Sequence, residues 1–131
     1  MSGLLDTSVI VRYLTGDPPK LADRAAHIID STIALHITDV VLVEVAYVLI
    51  SVYKMPRAAV VDALIALLQR TNIRLFALDK TTVFEALLLC QPSGRVAFAD
   101  ALIWAVARSS DTPTVYTFDK RFPTDGVQLE S

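Results

Sequence analysis

The sequence predicts an α/β fold with a short, mainly parallel central sheet flanked by helices. The apolar period switches repeatedly between short runs and longer amphipathic stretches, the alternation that parallel strands and their helical crossovers produce. Gly and Pro clusters punctuate those switches, and no repeat, linker or low-complexity segment intervenes. Residues 1–131 are expected to form one domain, because a chain of this length can bury roughly two-thirds of its unfolded surface around a single core.

Gly3-Leu4-Leu5 and the residues before it read as a short buried strand, ended by Asp6 ahead of a helix carrying Val9, Ile10, Tyr13 and Leu14. Gly16, Pro18 and Pro19 break the chain, and a second helix is expected from about Pro19 to Asp30. IALHI follows as a strand. Thr38 is placed to cap the helix containing VLVEVAYVLI, a run expected to be buried almost all round. Pro56, at a first helical turn, starts another helix with Val60, Val61, Leu64, Leu67 and Leu68 on one stripe, and these two helices form a hairpin. IRLFAL is a strand. Asp79 to Cys90 is a helix in which Thr82 and Glu85 have capping-box spacing, and QPSGR is a loop. The helix around FADALIWAVA, the strand TVYTF and an edge strand at VQL complete the order.

A lone cysteine, Cys90, excludes an internal disulfide or a cysteine-rich zinc site and fits a reducing compartment. No run reaches the ~18 apolar residues of a membrane span, and MSGLLD lacks the basic start of a signal peptide, so a soluble, cytoplasmic protein is expected. The 53% hydrophobic content is high for a small monomer and predicts apolar surface covered by another chain. A net charge of −2 by itself disfavours nucleic acid, whose phosphates are neutralised by Lys and Arg. That inference reverses if the acids are gathered in one metal site.

Four of the fourteen acids stand in apolar places. Asp6 ends the first strand, Glu44 interrupts VLVEVA, Asp100 interrupts VAFADALIWAVA, and Asp119 ends TVYTFD. In an open parallel sheet the carboxyl ends of the strands lie along one edge, which places Asp6 and Asp119 there and lets two helices direct Glu44 and Asp100 to the same edge. Carboxylates that close raise one another's pKa, and a hard divalent cation removes the conflict. Mg²⁺ or Mn²⁺ suits such oxygen ligands, whereas no ligand-spaced His or Cys group invites zinc. Ions of this kind support phosphodiester hydrolysis. With four negative charges set aside, a chain of net −2 is left at +2, compatible with an anionic polymer.

LLDTSVIVRYL, the isolated Glu44 in TDVVLVEVAYVL, the ADALIWAVA segment and the closing TFDKRF together resemble the PIN domain, especially VapC-type toxins of toxin–antitoxin pairs. The resemblance covers essentially the whole chain. It implies a three-layer sandwich, Mg²⁺- or Mn²⁺-dependent endoribonuclease activity, an RNA substrate, a homodimer and inhibition by a cognate antitoxin protein. Asp6, Glu44, Asp100 and Asp119 match the family's acidic positions, and Ser8 and Thr117 match polar positions that help hold metal, water or carboxylates. Asp119 is preferred over nearby Asp125, which lies in a Thr-Asp-Gly turn.

Each residue also has a plainer reading. Asp6 would serve as a helix cap, Glu44 as the partner of a buried Arg, Asp100 as an acid near a helix N-terminus, and Asp119 as the start of a turn. His27 and His36 read as structural, and Trp104 and Tyr47 as core or interface packing. Arg12, Lys20, Arg24, Arg95, Lys120 and Arg121 include the phosphate contacts, of which Arg12, Arg95, Lys120 and Arg121 are the selected set. The alternatives in function are a receiver-like signalling module, with Asp79 after the strand IRLFAL as phosphoacceptor, and a catalytically silent PIN-like interaction domain. A receiver would need an acidic pair after its first strand, where this chain has Asp6-Thr7-Ser8.

Overall fold

The short apolar runs all become strands of one parallel sheet. In the computed structural model, which describes residues 2–92, 95–111 and 113–131, they are β1 (Ser2–Leu5), β2 (Ala34–Thr38), β3 (Ile73–Phe76), β4 (Thr114–Tyr116) and β5 (Gln128–Glu130). Their order across the sheet is β3-β2-β1-β4-β5, and every pairing is parallel. The helices are α1 (Thr7–Thr15), α2 (Pro19–Ser31), α3 (Asp39–Ser51), α4 (Arg57–Leu68), α5 (Lys80–Cys90) and α6 (Phe98–Ser109). Pairs of helices connect β1 to β2, β2 to β3 and β3 to β4, whereas β4 reaches its parallel neighbour β5 through residues 117–127 without a helix.

The chain lays β1, β2 and β3 outward in one direction and then returns to add β4 and β5 on the other side of β1. Strand order therefore reverses between β1 and β4, and a crevice at that switch point is the usual place for a ligand. The backbone N–H of Asp6 donates to the Tyr116 carbonyl at 3.0 Å, so the two strand ends remain tied where the crevice begins.

Burial follows sheet position. Leu4, Leu5, Leu35, Ile37 and Val115 are sealed in the middle, while β3 buries only Ile73 and leaves Leu75 58% exposed at the edge. In α3, Val41, Val45 and Leu49 form one buried stripe at i, i+4 and i+8. The expectation that this helix is buried all round is corrected. Val43 and Tyr47 are 70% and 68% exposed, so Tyr47 is not a core residue in this chain. In α4 the expected stripe divides in the same way, with Val60 and Leu67 buried and Val61 and Leu68 exposed.

The helix starts are set by side-chain oxygens. The Thr38 hydroxyl accepts from the Val41 N–H, as its position in the sequence suggests. Pro56 stands one place earlier than expected, just before the first residue of α4. The capping box expected at Thr82 and Glu85 gives way to Asp79, whose carboxylate accepts from the Thr82 N–H at 2.8 Å. That role also accounts for Asp79 without any phosphoacceptor chemistry. Of the loop expected at QPSGR, Ser93 and Gly94 lie outside the described residues. No helix among the described residues is long and apolar enough to cross a membrane.

Gly3 shows how tightly β1 is held. A Cβ there would sit 2.8 Å from the Thr114 carbonyl oxygen and 2.9 Å from the Tyr116 ring. Both belong to the neighbouring strand, so Gly is required for close approach rather than for a turn. Gly3→Ala is expected to lower stability by about 1–3 kcal/mol through overpacking, read as a shift of the urea midpoint. An unchanged midpoint would contradict this packing.

Candidate active site

Asp6 is the first residue beyond β1 and the N-cap of α1, and its plain and functional readings turn out to be compatible. Its Oδ1 accepts from the Thr7 N–H at 2.8 Å, as a cap does. Its Oδ2 faces two hydroxyls, accepting from Thr117 at 2.5 Å and from Ser8 at 3.1 Å. Only 2% of the residue is exposed. Burial pushes its carboxyl pKa upward. The bonds from Thr117, Ser8 and the Thr7 amide oppose that rise, and repulsion from Glu44 adds to it.

Ser8 and Thr117 join the two halves of the crevice. The Ser8 oxygen also accepts from the Phe118 N–H at 3.1 Å, and the Thr117 oxygen from the Asp119 N–H at 3.0 Å. One pair of hydroxyls therefore holds the Asp6 carboxylate and the backbone that carries Asp119. TVYTF leaves the sheet at Tyr116, so Thr117 and Phe118 belong to the connection beyond the strand.

Glu44 sits in the second turn of α3, beside its buried stripe. Its partner is a hydroxyl: Thr7 Oγ1 donates to Glu44 Oε1. The ion pairs among the described residues, Arg70 with Asp30 and Arg121 with Asp119, do not involve it. Asp100 lies in the first turn of α6, where the helix dipole favours an acid. Even so, its pKa is raised to about 7. Burial is the main cause, followed by repulsion from Asp6, Asp119 and Glu44, with Arg121 partly offsetting the rise.

All four acids line a single pocket of about 360 Å³, together with Thr7, Ser8, Val11, Arg12, Val48, Val52 and Tyr53. Among the described residues, no three His, Cys, Asp or Glu side chains form a ready-made ligand set for one ion. The carboxylates share a pocket without meeting at a point. Their chemistry nevertheless fits a hard cation such as Mg²⁺, which takes one or two carboxylates and keeps several waters or substrate oxygens.

The basic residues divide. Arg12 lines the acid pocket and donates to the Tyr53 hydroxyl at 3.0 Å and the Asp17 carbonyl at 3.3 Å. Arg95, Lys120 and Arg121 line a separate depression with Asp125. Arg121 turns toward the acids, its Nε 3.5 Å from Asp119. The Asp125 carbonyl accepts from the Trp104 indole, and Trp104 is a core residue as expected. His27 contacts Ser31, and His36 meets Phe76 edge to face, so neither histidine lines the acid pocket. Thr7 and Tyr53 were not foreseen. Thr7 is hidden in sequence by its neighbours Asp6 and Ser8, and nothing in the sequence links Tyr53 to Arg12.

The PIN domain family model matches residues 3–124. No curated protein matches the chain. Among solved structures, it is similar to the VapC20 toxin of Mycobacterium tuberculosis, which cleaves the sarcin–ricin loop. The identity is 21% and the TM-score 0.78, over 97% of this chain and 96% of that one. It is also similar to VapBC2 of Rickettsia felis, determined with a DNA fragment of its promoter. There the identity is 19% and the TM-score 0.67, over 99% of this chain and 98% of that one. At such identities the likeness shows a common fold.

Two outcomes follow from this geometry. Thr117→Val removes the donor to Asp6 and the acceptor for the Asp119 amide, and should cost about 1–3 kcal/mol in denaturant unfolding. A loss below that range would mean the hydroxyl is dispensable. Without divalent cations, folding shifts the Asp100 pKa from 3.8 to about 7, so its contribution to stability is full below 3.8 and lost as pH rises through 7. Asp100→Asn is therefore expected to gain stability relative to the native chain more at about pH 8 than at about pH 5. Equal differences at the two pH values would contradict the shift.

Proposed function

This chain belongs to the PIN domain family, and from that premise we propose that it is a divalent-metal-dependent endoribonuclease, the toxin of a VapBC-type toxin–antitoxin pair. One observation carries the reading: acids from four distant segments, Asp6, Glu44, Asp100 and Asp119, line one pocket at the carboxyl edge of a parallel sheet. The catalytic unit is taken to be residues 1–131, and the site of action cytoplasmic.

Asp6, Asp100 and Asp119 would hold Mg²⁺ or Mn²⁺, with Glu44 either joining them or orienting the attacking water. When bound, the ion supplies a polarised phosphate oxygen and a water of lowered pKa. The protein's own residues prepare that chemistry. Thr117 and Ser8 fix the orientation of the Asp6 carboxylate, and Thr7 does the same for Glu44. Asp100, its pKa raised to about 7 by burial and by its acidic neighbours, would be held in its charged form by a nearby cation and so could serve as one of that cation's ligands. Arg12, steadied by Tyr53, offers a guanidinium to an RNA phosphate at the pocket wall. Lys120, Arg121 and Arg95 extend positive charge beyond Asp119.

The exposed apolar side chains of α3, α4 and α5, including Val43, Tyr47, Ile65, Phe84 and Leu88, support a homodimer and a cognate antitoxin as the chains that cover them. VapC20 and VapBC2 supply the precedent for toxin activity and for an antitoxin partner.

Purified chain freed of antitoxin should cleave structured RNA with Mg²⁺ or Mn²⁺ and lose that activity in EDTA. Asp6→Asn and Asp100→Asn should each lower the cleavage rate by ~10²-fold or more while leaving the fold intact by circular dichroism. Cleavage that persists unchanged in both variants would reject the assignment. Absence of cleavage by the native chain would favour the silent interaction domain.

A further inference from the structure

A second cavity, of about 460 Å³, shares Asp119 with the acid pocket and falls in the size range of small-ligand sites. It lies between α2, the segment following β4, and β5. Its walls mix apolar side chains, Leu21, Phe118 and Leu129, with Arg24, Lys120 and Glu130. None of the acid-pocket chemistry requires Arg24, Phe118 or Glu130.

The Arg24 guanidinium lies over the Phe118 ring at 5.2 Å from its centroid and donates to the Ser131 hydroxyl at 2.7 Å. This cation–π contact brings into one wall of the cavity a guanidinium and an aromatic ring, the two kinds of side chain on which nucleobases stack. Glu130, whose carboxylate accepts from the Gln128 amide at 2.8 Å, lines the same cavity and supplies an acceptor suited to the N–H edge of a base. The same carboxylate, with Asp119, would repel a phosphate inside the cavity. Lys120 suits a phosphate better, since it lines this cavity and also the neighbouring basic depression. Phe118 is coupled to the acids, because the Ser8 oxygen that bonds Asp6 also accepts from the Phe118 N–H.

We propose that this cavity is a nucleobase subsite, taking the base of a nucleotide adjacent to the scissile phosphate, with Arg24 and Phe118 as its stacking platform and Glu130 as its polar edge. The proposal deepens the nuclease reading and rests on it for the position of the scissile bond. It is tested on the full chain by following the Phe118 ring protons in NMR during titration with guanosine and, separately, with ribose. Guanosine should shift the ring signals in a saturable way, ribose should not, and Arg24→Ala should abolish the saturable shift.

In cleavage assays with Mg²⁺, Arg24→Ala and Phe118→Leu should raise KM for RNA by about fivefold or more with kcat changed less than twofold. Thermal unfolding of both variants controls for folding. Equal responses to guanosine and ribose, or an unaltered KM in both variants, would overturn the subsite. A native chain that binds guanosine at Phe118 yet fails to cleave RNA rejects the nuclease reading and keeps the base pocket. A chain that cleaves RNA with neither guanosine response nor KM change does the reverse.

Discussion

Like-charge repulsion at the edge of the sheet is the constraint on which the rest depends. Asp6 is nearly inaccessible to water, and at Asp100 burial, reinforced by repulsion from Asp6, Asp119 and Glu44, raises the carboxyl pKa from 3.8 to about 7. Packing acids this way works against folding, since burial disfavours the charged form and each neighbour adds to the cost. Such an arrangement persists when the surrounding structure over-determines it. Here the over-determination is visible in the hydroxyls. Thr117 and Ser8 hold Asp6, Thr7 holds Glu44, and Ser8 and Thr117 are themselves engaged by the backbone of Phe118 and Asp119.

The fold supplies the rigid frame for that arrangement. β1 is the pivot of the strand order, so its carboxyl end faces the crevice, and Gly3 permits the close approach of β4 that brings Thr117 to Asp6. Helices α3 and α6 then bring Glu44 and Asp100 from segments more than a third of the chain apart. The sheet contributes position, the helices contribute charge, and the hydroxyls fix orientation. A divalent cation is the component that would turn this stored repulsion into affinity for a phosphodiester.

Much of this was legible in the sequence because burial of an acid contradicts its surroundings. Glu44 inside VLVEVAYVLI and Asp100 inside VAFADALIWAVA stand out against apolar neighbours, and parallel topology gives Asp6 and Asp119 a shared edge. What was not legible depended on which apolar residues face inward. VLVEVAYVLI does not reveal that Val43 and Tyr47 point outward, because a helix apolar on every face has no preferred stripe until its neighbours are placed. The Asp79 cap was missed because Thr82 and Glu85 offered an equally good local pattern. Contacts such as Arg12 with Tyr53 and Arg24 with Phe118 join segments that no local pattern relates.

The most direct test follows the Asp100 side-chain carboxyl by ¹³C NMR through a pH titration, with and without Mg²⁺. A midpoint near 7 is expected in the absence of the ion, with a drop of about a unit or more when Mg²⁺ is added and a smaller drop in the Glu44→Gln variant without metal. An Asp100 carboxyl that titrates near its ordinary value of 3.8 in all three samples would contradict it, because the four acids would then share a pocket without sharing a charge.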